Sequence, residues 1–110
     1  MAQEYRKIKQ KKSDAYIVDV AGEWRVRPST AVVRKPDEFD ICNLTQTTFV
    51  VDVSSAGGGP PFALGPGDWT SVPLTMEAGV FEYTVALETD RARKARGDSD
   101  PVIIIDPPGN

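Results

Sequence analysis

The residues able to do chemistry are few in this chain. It carries one cysteine, Cys42, and no histidine. A thiol becomes a nucleophile or redox centre when a nearby base or positive field lowers its pKa. The neighbours Asp40 and Asn43 supply neither, so Cys42 is expected to be a packed structural thiol. A lone cysteine also rules out an intrachain disulfide. Without histidine, the commonest general base and the commonest transition-metal ligand are missing. Carboxylates remain. Asp52, Glu82 and Glu88 are the candidates for acid–base work. Asp98-Ser99-Asp100, with Asp90 and Glu88, is rich in the oxygens that a hard cation takes. However, Arg91, Arg93, Lys94 and Arg96 lie in the same stretch and oppose a cation. Local ion pairing, with an Asp-capped turn before Pro101, is the expected arrangement. Gly57-Gly58-Gly59 has the composition of a phosphate cradle, but Pro60-Pro61 follows where such a loop needs a helix bearing Lys and Ser/Thr. It reads as a flexible hairpin tip. No catalytic residue, cofactor site or metal site emerges, and the chain is expected not to be an enzyme.

Contact surfaces are better marked. Arg91, Arg93, Lys94 and Arg96 place four positive charges in six residues. Residues 15–90 carry eleven acids against four bases, net −7, so the cluster sits on an acidic body. That body repels a polyanion, which argues against nucleic acid as a partner, and no aromatic side chains interleave with the cluster for base stacking. Phe62, Leu64 and Trp69 are the apolar candidates for a partner contact, because they flank the Gly/Pro loop and a following turn. Trp24, like Trp69, reads either as a core residue or as an exposed anchor, whereas Phe39, Phe49, Phe81 and Tyr83 read as core.

The elements that must position these groups are strands. The chain has 110 residues, which is one domain's length. It is 40% hydrophobic and 26% charged, enough to bury a core and too apolar for wholesale disorder. No run approaches the roughly 18 apolar residues of a membrane helix. Met1 to Lys12 has charges with no apolar stretch after them, unlike a signal peptide. Residues 1–14 read as a basic N-terminal arm, 15–106 as a β-sandwich domain and 107–110 as a C-terminal tail. Period-two alternation runs through Tyr16 to Ala21 and Trp24 to Arg27. Thr30 to Arg34, Phe39 to Asn43, Thr47 to Val53, Trp69 to Leu74 and Val80 to Glu88 follow as strands. Residues 89–100 read as a charged loop with room for one helical turn at Arg91 to Arg96. Val102 to Ile105 is apolar without alternation, so both its faces are expected to be covered, with Ile104 buried. No helical period persists for three turns. Seven or eight short strands imply an antiparallel sandwich or barrel, and an antiparallel Greek-key β-sandwich is the expected fold.

The order of motifs resembles the cupredoxin-like β-sandwich family. A strand ends in Asn43, and Thr47 to Val53 follows. A Pro-Gly turn sits in Phe62 to Asp68, then comes Gly79-Val80-Phe81-Glu82-Tyr83-Thr84-Val85, and a hydrophobic strand closes the chain. The likeness covers roughly residues 16–106. An immunoglobulin-like sandwich has similar strand spacing and stays open as an alternative, although no Cys–Trp–Cys pattern supports an antibody-type domain. The family's best-known chemistry is a copper site of two His, one Cys and a weak axial ligand. The resemblance puts those His positions near Thr48 and Glu88 and the Cys position near Val85, while Cys42 lies on another strand. The fold is therefore expected without its copper, and a fold alone carries no function.

Together these residues predict a non-catalytic, cytoplasmic protein-interaction module with no cofactor. It is expected to be a subunit or adaptor of a larger assembly, or to self-associate, with no membrane partner. The alternative is a small-molecule or ion-binding β-sandwich module.

Overall fold

A computed structural model describes residues 13–34, 38–96 and 100–106. Among these residues eleven strands follow one another: β1 Ala15–Val20, β2 Glu23–Arg27, β3 Thr30–Arg34, β4 Glu38–Asn43, β5 Phe49–Asp52, β6 Phe62–Leu64, β7 Trp69–Pro73, β8 Gly79–Glu82, β9 Thr84–Leu87, β10 Asp90–Lys94 and β11 Val102–Asp106. A 3-10 turn over Ser54–Ala56 is the one helical element among the described residues. No helix there is long and apolar enough to cross a membrane. The chain is an all-β sandwich, as its alternation predicts.

The strands join in the orders β2-β1-β4-β7, β10-β9-β5-β6 and β3-β11-β8. Most ladders are antiparallel, but β1 pairs with β4 and β11 with β3 in parallel. The expected strand over Val80 to Glu88 is two strands. Tyr83 divides it, its N–H donating to the Pro101 carbonyl at 3.1 Å. On one side β8 pairs with β11, and on the other β9 pairs with β5. Ile17, Val26, Phe39 and Ile41 of the first sheet share one core with Phe49, Val51, Val85, Ile103 and Ile105 of the other two. Aromatic edges bridge the layers: Trp24 meets Phe49 at 5.4 Å and Phe39 meets Tyr83 at 5.2 Å between ring centroids.

The β1–β2 hairpin turns on Ala21 and Gly22, with φ of 53° and 84°. Two residues of positive φ match the twist of the flanking strands. The Asp19 carboxylate accepts the Gly22 N–H at 3.0 Å and fixes the turn.

Three expectations need correction. Ile104 is only half-buried: Ile103 and Ile105 point inward, while Ile104 lies between Val32, 59% exposed, and Val80, 66% exposed. The β3-β11-β8 sheet has one face on the core and one open, so an apolar run does not imply two covered faces. The glycine stretch is not a free tip, since a Cβ on Gly57 would overlap Thr75 and one on Gly58 would overlap Val53 and Val72. The stretch around Arg91 is a strand, not a loop with a helical turn. Of the expected N-terminal arm, residues 1–12 lie outside the described residues, as do the tail 107–110 and Asp98-Ser99 of the acidic motif. Asp14 is docked to the sheet: its N–H donates to the Asp40 carbonyl at 2.7 Å, and its carboxylate accepts the Asp40 N–H at 2.8 Å.

Tyr83 supplies a pH test of the packing. Its side chain is buried, and its hydroxyl has no hydrogen-bond partner among the described residues. Burial first, and then the negative charge of Asp14, push this phenol well above its ordinary range. The unfolded phenol ionises near 10 while the folded one keeps its proton, so stability should fall as pH rises past about 10. Urea midpoints measured from pH 8 to 11 should drop faster for the wild type than for Tyr83→Phe. Parallel curves would show that Tyr83 is not the group responsible.

Candidate functional site

The basic cluster becomes a surface because of how β10 is built. After Asp90 pairs with Leu87, the next register contact is Lys94 with Ala86, so Arg91, Ala92 and Arg93 form a bulge. A bulge on an edge strand lifts side chains off the ladder, and charge on such an edge blocks further strand pairing. Every residue of β10 is exposed. Beyond it, Ala95 is buried and Arg96 is exposed. The Ala95 N–H donates to the Val85 carbonyl at 2.8 Å, which anchors the end of the cluster to β9.

That end also meets the edge of the first sheet. Arg25 of β2 and Arg96 face each other across an isolated parallel bridge, and the Val26 N–H donates to the Arg96 carbonyl at 3.0 Å. Along this seam runs an open groove of about 540 Å³ lined by Gly22, Glu23, Trp24, Arg25, Arg93, Lys94 and Arg96. The Arg93 guanidinium lies over the Trp24 ring, 4.9 Å from its centroid. Arg25 Nη2 is 2.8 Å from Glu23 Oε1, and Arg96 Nη1 is 3.9 Å from Asp100 Oδ1. Arg93, Lys94 and Arg96 are thus brought together, with Trp24 and with Arg25, which the linear sequence does not join to the cluster. Arg91 lies outside the groove and is felt instead by Asp52.

The apolar candidates are not gathered there. Leu64 is a core residue, 4% exposed, and Phe62 packs partly against the core. Trp69 is 40% exposed and stands beside Cys42 across the β4–β7 ladder.

Among the described residues, the carboxylates and the thiol do not assemble into a reactive centre. Ser54 donates to Asp52 through its hydroxyl at 2.6 Å and its N–H at 3.0 Å. These bonds hold the Asp52 carboxyl below its ordinary range against the opposing effect of burial, with a lesser contribution from Arg91. A base that weak is poorly matched to proton transfer near neutral pH. Burial pushes the Cys42 thiol up, away from the reactive thiolate.

At the positions where the family resemblance would place copper ligands, the side chains do not fit a His₂Cys donor set. The Thr48 carbonyl accepts the Glu88 N–H at 3.2 Å, so those two positions do lie side by side. Val85 has no donor atom and is wholly buried in the core. Thr48 and Glu88 offer only hard oxygens, and no histidine exists to replace them. Among the described residues, no group of three or more His, Cys, Asp or Glu side chains is placed to share a metal.

No protein-family model matches the chain. No curated protein matches its sequence either. Solved structures do match its shape. A novel purple cupredoxin from Nitrosopumilus maritimus is 15% identical and aligns over 86% of this chain and 100% of its own, with a TM-score of 0.55. A proline-to-glycine mutant of amicyanin in its reduced Cu(I) form at pH 4 is 11% identical and aligns over 90% of this chain and 88% of its own, with a TM-score of 0.53. A methionine-to-alanine mutant of amicyanin with Cu(I) is 13% identical over 89% and 88% of the two chains, with a TM-score of 0.52. At such identities the likeness concerns the fold alone. Of the two sandwich types that the strand spacing allows, this chain has the cupredoxin-like fold.

Proposed function

We propose that this chain is a non-catalytic, cytoplasmic protein-interaction module, built on a cupredoxin-like fold that has lost its copper centre. It acts as a subunit or adaptor of a larger assembly, or binds a second copy of itself. The observation that carries this reading is the exposure of Arg91, Arg93 and Lys94 on one bulged edge strand and of Arg96 just beyond it. Clustered charge contributes little to folding when exposed, typically under about 1 kcal/mol for each pair. It contributes more to encounter and orientation of a partner. The acidic body supplies the opposite sign for contacts between copies.

Changing all four residues to Ser should leave the melting temperature nearly unaltered. Affinity capture from native extract, at low and at physiological salt, should lose the partner with this variant. The effect should shrink as the Debye length falls to about 8 Å at physiological ionic strength. Sizing across the same salt series separates self-association from a foreign partner. Unaltered capture at low salt together with a salt-indifferent monomer would overturn the proposal, and the surface around Trp69 would become the next candidate.

A further inference from the structure

Like charges directly opposite each other across strands are unfavourable, yet Arg25 and Arg96 are partners in the bridge that closes the seam between β2 and the end of β10. The groove beside them holds four cations, Arg25, Arg93, Lys94 and Arg96, against one carboxylate, Glu23. Glu23 meets Arg25, and Asp100 is at 3.9 Å from Arg96, both as exposed pairs that a competing anion can displace. Among the described residues, neither Arg93 nor Lys94 has an ion-pair partner. Arg93 is nonetheless held in place, because its guanidinium rests on the Trp24 ring, and Trp24 is itself fixed edge-on against the buried Phe49. A stacked guanidinium keeps its planar fork of N–H donors, which matches a carboxylate in bidentate fashion.

We propose that this groove receives an extended acidic segment of a partner protein, with carboxylates seated between Arg25 and Arg96 and against the Trp24-stacked Arg93. The inference rests on the interaction reading above and names the chemistry of its ligand. The four cations come from both edges of the seam, Arg25 on β2 and Arg93, Lys94 and Arg96 on and after β10, and carboxylates on alternate residues of an extended peptide recur every ~7 Å on one side. A single tetrahedral oxyanion offers one centre of charge to the four cations, whereas such a peptide offers several. A nucleic acid is opposed twice. It continues beyond the groove onto a body of net charge −7 between residues 15 and 90, and the Trp24 face that would stack a base is taken by Arg93.

The test uses the full chain with Trp69→Phe, which leaves Trp24 as the reporting indole, and calorimetry on the unaltered chain as a readout independent of that change. The probes are a blocked hexaglutamate peptide, its hexaglutamine counterpart and sodium phosphate, at matched ionic strength. Hexaglutamate should bind saturably and shift Trp24 emission, and hexaglutamine should not. The double variant R25S/R96S should weaken hexaglutamate about tenfold or more, as expected for lost close charge pairs, while Arg27→Ser, outside the groove, should change it less than about twofold. Phosphate binding as tightly as the peptide, equal losses from Arg27→Ser and R25S/R96S, or no saturable peptide binding would each overturn the proposal. If the peptide fails while the quadruple Ser variant still loses its captured partner, the acidic-segment inference falls and the interaction reading stands.

Discussion

Phe49→Ala should destabilise the fold by about 3–5 kcal/mol, the range for truncating a buried aromatic. Phe49 is wholly buried at the start of β5. It pairs in register with Leu64 on one side and Leu87 on the other, both core residues. Its ring also supports Trp24 at 5.4 Å in an edge-on contact. Ala would leave a void that strands on both sides, held by their ladders, cannot close. For a domain of this size each kcal/mol shifts the melting temperature by about 4–8 °C, so a fall on the order of 12 °C or more is expected. Urea unfolding followed by circular dichroism gives the free energy. A loss below about 1 kcal/mol would mean that the sheets collapse onto the gap, contrary to the usual behaviour of a close-packed core. Because Trp24 rests on Phe49 and Arg93 on Trp24, the same truncation should also loosen the basic groove.

How much of this arrangement could be read from the sequence depends on how each strand meets water. β1, β4 and β5 each have one side on the core, so their alternation is visible, as in Phe39 and Ile41 against Asp40 and Cys42. β10 has no buried residue at all, and a strand without an inward side leaves no period-two signal. Its charges read instead as a loop. β11 fails in the opposite way. Three isoleucines in succession hide the alternation, although Ile103 and Ile105 are buried and Ile104 is only half so. Chain order gives no clue to the parallel pairings of β1 with β4 and β3 with β11. Long-range pairing also explains why the candidate site was half legible. Arg93, Lys94 and Arg96 stand out as a local cluster, while Trp24 reads either as core or as an anchor. The Arg25–Arg96 bridge joins residues far apart in sequence. The one local signal for Arg25 was its alternation with Trp24 and Val26, which puts it on the outer side of β2. Leu64 reads as a contact candidate although it is core, because β6 has only three residues, too few to show which side it buries.

Asn43→Ala should cost about 3 kcal/mol or more, because several buried polar groups would lose their partner at once and each such loss is worth about 1–3 kcal/mol. Asn43 is a wholly buried polar residue at the end of β4. Its amide donates to the Thr47 carbonyl at 2.8 Å and to the Leu64 carbonyl at 2.9 Å. Its side-chain oxygen accepts the Thr45 N–H at 2.9 Å and the Thr45 hydroxyl at 2.8 Å. The backbone adds two ties to the next turn, with the Asn43 N–H donating to the Asp68 carbonyl and the Gly67 N–H to the Asn43 carbonyl, both at 2.8 Å. One side chain therefore joins the end of β4, the bend after it and the end of β6. This gives a physical reason for a strand that ends in Asn. Asn43→Asp separates the hydrogen bonds from simple packing. It keeps the size and the acceptor facing Thr45, but an ionised carboxylate would face two carbonyls that need donors. The folded variant should then hold its proton more tightly than the unfolded chain, whose Asp ionises near 3.9. With the folded pKa raised, the variant's deficit relative to wild type should be smallest near pH 4 and grow as pH rises toward 7. Urea unfolding of both proteins across that range measures it. A deficit that does not change with pH would show that Asn43 acts through its volume rather than through the two donors it aims at Thr47 and Leu64.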